Sequence, residues 1–317
     1  MSLQTKIKVK TIGYYHRDRE ISRYNQFPPT KLDSTVEDSG AGEHYMESLL
    51  EYIRLRPWNQ ETKPHFVTNK NLLKMIASKK YNQIQIHCVR LNDVIFMLKK
   101  TFDTDVNTNF GAFFEHFMTK ETENEKMEED GTIRKAVFMA EIPMENKVFK
   151  VMYSGEIDAI DGNGHHYELK VLLGGMNHWF WMNTSVKFYW QSVLSGFSTL
   201  IIGNRTGKKK LIRGQDRHFH YLIIHFLSIE ARLLPVKVAQ FARTWKKEYE
   251  AWTVEDGENE IQEFLRLVSE RLTQNEDCFK FSKELIDDEW NIERENIERE
   301  ETKETKDFHD LIAFCVN

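Results

Sequence analysis

The sequence predicts an α+β protein, because stretches with helical period and stretches with strand alternation both occur and interleave along the chain. HYMESLLEYIRL from His44 and EIQEFLRLVSERL from Glu260 carry the helical period. YNQIQIHCV from Tyr81 alternates as a strand. Two short apolar runs flank a glycine turn in SGEIDAIDGNGHHYELKV, residues 154–171. The 317 residues are 40% hydrophobic and 12% aromatic, enough for a substantial buried core.

Taken in order, residues 1–43 are polar, with Pro28, Pro29 and the acidic DSTVEDSGAGE, and are expected to form an extended arm. Helices are expected from His44 and from Asn71 in NLLKMIASKK. A strand follows at YNQIQIHCV, while RLNDVIFMLKKTF fits a strand or a helix equally. NFGAFFEHFM sets Phe110, Phe113, Phe114 and Phe117 on a helical stripe with Glu115 off it, and the charge-dense KETENEKMEED reads as a solvated loop. Strands are expected over 134–142 and 147–153, a helix in SVKFYWQSVLSGF, and strands in STLIIGNR and HFHYLIIHFLS. The charged run over 287–307 is expected to be an exposed helix or tail.

Composition excludes several classes. A net charge of -5 lacks the basic excess of proteins held on nucleic acid by surface charge alone, so such a partner must be gripped locally. Cys88, Cys278 and Cys315 are odd in number and lack a CxxC spacing, which argues against a disulfide framework or a zinc site and fits a reducing compartment. The longest apolar run, Tyr221 to Leu234, is interrupted by His225, Glu230 and Arg232 and is too short to span a bilayer. A soluble protein of the nucleus and cytoplasm, without a membrane partner, is expected.

The glycine turn carries the chemistry. Asp161-Gly162-Asn163-Gly164 favours a hairpin, since asparagine and glycine tolerate positive φ. Its expected arms are Glu156-Ile157-Asp158 and Glu168-Leu169-Lys170, with alternate side chains on one face. Three carboxylates gathered there would repel unless a cation lay between them, and hard oxygen donors suit magnesium or manganese. A surface hairpin with Lys170 paired to a glutamate accounts for the same pattern.

Wider context favours the metal site. Arg90 in IHCVRLNDVIFML, Glu115 in GAFFEHFM, SGEID, YELKV, Gln191 in VKFYWQSVL and IIGNRTG occur in an order that resembles the decapping and exoribonuclease (DXO) family. The resemblance implies a single DXO-like domain over 1–317, with a mixed β-sheet core flanked by helices and related to the PD-(D/E)XK nucleases. It implies that Glu115, Glu156, Asp158, Glu168 and the Leu169 backbone carbonyl hold one or two Mg2+ or Mn2+ ions. Glu156, Asp158, Glu168, Lys170 and Gln191 would be catalytic, and Arg90, Glu115, Lys170, Gln191 and Arg205 would contact substrate.

The implied substrates are RNAs with an incomplete cap, a nicotinamide cap or a triphosphate at the 5′ end, and a 5′–3′ exonuclease is an implied partner. The chain departs from the family in a shorter span between Arg90 and Glu115, and in Val171, Leu172 and Leu173, where small polar residues are usual. These departures leave a second expectation, a weakly catalytic RNA-end-binding or nuclease-adaptor protein.

Other signals are set aside. GNRTGKKK misses the phosphate-loop pattern, because three residues separate Gly203 from Gly207 and no Ser or Thr follows the lysines. His165 and His166 point apart on a strand and lack a third ligand. Trp179, Trp181 and Trp190 are expected to pack in the interior more than to stack on bases.

Overall fold

The computed structural model describes residues 4–16, 46–100, 134–205, 223–244, 251–296 and 303–316, except 80, 82, 162, 231–232, 285–286 and 288. Glu115, the 121–130 acidic insert and the basic residues after Arg205 lie outside the described residues.

The larger of two sheets holds β1 (Lys8–His16), β2 (Phe66–Asn69), β3 (Gln83–Leu91), β4 (Val94–Lys99), β5 (Arg134–Pro143), β6 (Val148–Glu156), β11 (Cys278–Glu284) and β12 (Asn291–Arg294), in the order β1-β5-β6-β2-β4-β3-β11-β12. β2 runs parallel to both neighbours and the other pairs are antiparallel, so the sheet is mixed. The smaller sheet has β7 (Ala159–Ile160), β8 (His166–Leu173), β9 (Thr199–Arg205) and β10 (Ile223–Glu230), in the order β10-β9-β8-β7, with β8 and β9 parallel. The helices are α1 (Glu47–Leu55), α2 (Lys70–Ser78), α3 (Ser185–Val193), α4 (Leu234–Thr244), α5 (Val254–Arg271) and α6 (Lys303–Val316), and a π-helical turn, Phe180–Thr184, leads into α3.

Both faces of the large sheet are covered. Phe66, Cys88, Ile95 and Phe138 enter a core with Leu72, Leu73 and Ile76 of α2, Tyr189 and Trp190 of α3, and Phe264 and Leu265 of α5. Their strand neighbours Val67, Val89, Phe96 and Val137 enter a second core with Leu49, Leu50 and Ile53 of α1 and Phe308, Ile312 and Cys315 of α6. Strand alternation thus divides one apolar run between two cores. All three cysteines are buried and unbridged. Among the described residues no helix is long and apolar enough to cross a membrane.

Several elements differ from expectation. The arm contains β1, which pairs with β5 from Lys8↔Glu141 to His16↔Arg134. Its exposed Lys8 and Lys10 suit an edge strand, where charge discourages further pairing. RLNDVIFMLKKTF, left open between strand and helix, contains the strand β4, paired with β3. The charged run contains β12, held on β11 through Phe281↔Ile292, before α6 begins at Lys303. The hairpin's first arm is Ala159–Ile160, which pairs with His166 and Tyr167. Glu156 instead ends β6 in the other sheet, opposite Lys135.

Candidate active site

The joint between the two sheets brings together residues that are far apart in sequence. β2 lies parallel to β6, with Asn69 opposite Ser154. Asn69 then caps α2, its side-chain oxygen accepting the Leu72 N–H at 2.8 Å, so Lys70 opens the helix beside Gly155. The Lys70 stem crosses Gly155 so closely that a Cβ there would lie 2.7 Å from Lys70 Cδ and Cε and 2.8 Å from its Cβ. The glycine of SGEID makes room for a lysine.

Lys70 Nζ donates to the Glu156 carbonyl at 2.9 Å, Glu168 Oε1 at 2.8 Å and Ser195 Oγ at 3.0 Å, which uses all three of its protons. Glu168 is 1% exposed, in the middle of β8. Ser195 Oγ donates to its Oε1 at 2.7 Å, and the Gln191 amide of α3 donates to Oε2. Burial pushes the Glu168 carboxyl up, but the Lys70 and Lys170 ammoniums, with hydrogen bonds from Lys70 and Ser195, outweigh it and hold the pKa at about 2. Glu168 is therefore ionised although buried.

Lys170 Nζ bridges three oxygens: Asp158 Oδ2 at 2.5 Å, Leu169 O at 3.0 Å and Glu168 Oε2 at 3.3 Å. The Leu169 N–H also donates to Asp158 Oδ2 at 2.8 Å. Burial, and then the Glu168 charge, raise the Asp158 pKa, and Lys170 opposes both. Two repelling carboxylates and a carbonyl thus share one cation. Among the described residues no three acidic, histidine or cysteine side chains form a metal cluster by themselves. Asp158, Glu168 and the Leu169 carbonyl nevertheless fit a hard divalent ion as a donor set, since the Lys170 ammonium already draws them to one positive centre.

The expected site residues separate into groups. Asp158, Glu168, Leu169, Lys170 and Gln191 come together, and Glu156 joins through its carbonyl while its side chain is exposed. Arg205 ends β9. Arg90 is engaged elsewhere: its guanidinium donates to the Leu272 carbonyl at 3.0 Å and to Asp93 at 3.3 Å. Neither contact is with Asp158 or Glu168. Lys70 and Ser195 were missed in the sequence, although Asn69 before an apolar period marks a helix start and places Lys70 in its first turn.

Of the signals set aside, His166, Trp181 and Trp190 resolve into packing. His166 is buried, its ring nitrogen 3.0 Å from the Tyr14 hydroxyl. Trp190 is fully buried, Trp181 stacks on Phe241, and Trp179 is exposed.

A family model described as RAI1-like PD-(D/E)XK nuclease matches residues 10–309. Among solved structures, Scheffersomyces stipitis Rai1 in complex with (3′-NADP)+ and calcium ion is 13% identical with a TM-score of 0.69, over 99% of this chain and 97% of that one. Candida albicans Rai1 in complex with pU5-Mn2+ is 14% identical with a TM-score of 0.68, over 99% of both chains. S. pombe Rai1 in complex with 3′-FADP is 18% identical with a TM-score of 0.60, over 79% of this chain and 77% of that one. At these identities the likeness is one of fold. No curated protein sequence matches the chain.

Proposed function

The chain belongs to the RAI1-like PD-(D/E)XK nuclease family, and from that premise we propose that it is a divalent-metal-dependent phosphohydrolase of RNA 5′ ends. The observation that carries this reading is the convergence of Asp158, Glu168 and the Leu169 carbonyl on a single cation, Lys170. Relatives of the same fold bind a 3′-phosphorylated nicotinamide dinucleotide with calcium and a phosphorylated oligouridylate with Mn2+, which supports RNA and a nicotinamide-type 5′ end as ligands, and the proposal extends to RNA with a triphosphate or an incomplete cap. A 5′–3′ exonuclease partner and a nuclear and cytoplasmic location belong to the same proposal.

Asp158, Glu168 and the Leu169 carbonyl would hold one Mg2+ or Mn2+ ion, with Glu156 and Glu115 completing the set. The chemistry such an ion supplies is a lowered pKa for the attacking water and neutralised charge on the phosphate. Lys170, released from the three oxygens, would then hold a phosphate oxygen, and Gln191 would fix the orientation of Glu168. Lys70 would keep Glu168 ionised. The product would be an RNA with a 5′ monophosphate.

Lys70 also favours a second reading. An ammonium that already neutralises Glu168 suits an RNA-end-binding adaptor with weak catalysis. Purified protein with Mg2+ or Mn2+ should be given RNAs ending in triphosphate, unmethylated cap, nicotinamide cap or monophosphate, beside Glu168→Ala. Hydrolysis by the wild type and its loss in Glu168→Ala are expected. Binding of every RNA without hydrolysis of any would replace the enzyme with the adaptor, and activity surviving in Glu168→Ala would remove Glu168 from the metal site.

A further inference from the structure

Two lysines beside the site have no role in the chemistry described so far. Lys74 lies four residues after Lys70 on α2, and Lys187 lies four residues before Gln191 on α3. Side chains at this spacing share a helix face. Lys70 and Gln191 both bond to Glu168, so Lys74 and Lys187 stand one turn further along the same faces of two helices that pack together. Among the described residues neither ammonium has a hydrogen-bond or ion-pair partner.

Their surroundings are cationic. The charges that act on Lys74 are those of Lys70, Lys170 and Lys187, against one carboxylate, Glu168. Glu168 is already fully bonded by Lys70, Ser195, Gln191 and Lys170. Burial, with Lys70 next among the causes, lowers the Lys74 pKa to about 8. Among the described residues, Lys74 and Lys187 thus have no unengaged carboxylate to balance them.

We propose that Lys74 and Lys187 form an anion subsite that takes a backbone phosphodiester of single-stranded RNA as the strand leaves the Glu168 site. This deepens the 5′-end hydrolase reading and rests on it. A phosphodiester supplies the missing negative charge, and two ammoniums one helical turn from the reacting centre would set where the strand runs.

The test is the salt dependence of binding. Fluorescence anisotropy should follow a labelled oligouridylate, 5′-phosphorylated or 5′-hydroxyl, from low to physiological KCl, with wild type, Lys74→Met, Lys187→Met and the double variant. Lys283→Met, on β11, is the control. Each site variant is expected to lower the slope of log K against log salt by about 0.7 and to weaken binding about fivefold near 0.1 M salt, the double variant by twice that slope, and the control not at all. Methionine keeps the length of the stem, and a single cooperative melting transition no lower than that of the wild type would show that each variant folds.

Both oligonucleotides should lose affinity alike. An effect confined to the 5′-phosphorylated form would overturn the backbone assignment in favour of the terminal phosphate. Wild-type binding with unchanged slopes in the site variants would overturn the subsite and leave the hydrolase reading intact. A wild type that binds neither oligonucleotide would overturn both.

Discussion

Lys70 Nζ lies 2.8 Å from Glu168 Oε1, with the two side chains 9% and 2% exposed. A helix that packs on the large sheet thus neutralises a charge carried by the small one. Removing one partner of a buried pair strands the other, so Lys70→Met is expected to cost about 3 kcal/mol. Urea denaturation at pH 7 measures it, and RNA hydrolysis should fall with stability. A cost well below 1 kcal/mol would show that Lys170, Gln191 and Ser195 suffice for Glu168.

Gly155→Ala should act through the same lysine. Its new Cβ would meet the Lys70 stem at 2.7 Å, and the Lys70 Cβ, 2.8 Å away, has little freedom to retreat. Loss of stability and of hydrolysis is expected from Gly155→Ala alone. In a double-mutant cycle, Gly155→Ala should add little once Lys70 is methionine, because the displaced ammonium is already gone. Additive losses would mean that the glycine serves some other neighbour.

Arg90 provides the contrasting case. Its guanidinium bonds the Leu272 carbonyl at the end of α5, and its backbone exchanges hydrogen bonds with Asp277 O and Glu276 N. Arg90→Ala is therefore expected to lower stability by about 1–3 kcal/mol while the folded protein keeps its hydrolytic rate. A large loss of rate with unchanged melting would return Arg90 to the substrate contact that the resemblance implied.

Lys74 sets a pH dependence of opposite sign to a salt bridge. Its pKa falls from 10.5 to about 8 on folding, so between these values the unfolded chain binds more protons and stability rises with pH. Below about pH 8 the penalty for the charged form is complete. Lys74→Met should therefore be more stable than wild type at pH 7, with the advantage shrinking from about pH 8 to 10.5. A difference that stays flat over this window would show that Lys74 is not desolvated.

The second arm of the hairpin was legible because the turn announces itself: DGNG favours a turn, and Glu168 and Lys170 flank a leucine that faces the core. β4 was ambiguous because Ile95 and Phe96 both find apolar partners, one in each core, so burial on two faces erased the alternation. β1 left a readable signal, Lys6-Ile7-Lys8-Val9-Lys10, obscured by the polar residues after it. Phe308, Ile312 and Cys315 likewise had the spacing of the helix they form. Lys70 was hidden for another reason. Its role depends on Asn69 lying opposite Ser154, a pairing that no local pattern encodes.

Glu168 and its counter-ion arrive on separate layers, and this gives the ion pair a part in assembly. An ionised carboxylate buried alone costs several kcal/mol, so the small sheet gains little by closing until α2 has brought Lys70 to the joint. A slip of β8 by one residue would turn Glu168 away and present a neighbouring residue of opposite facing, leaving the lysine without its acceptor. The pair therefore works as a register lock, making correct docking of the two sheets and completion of the site a single event.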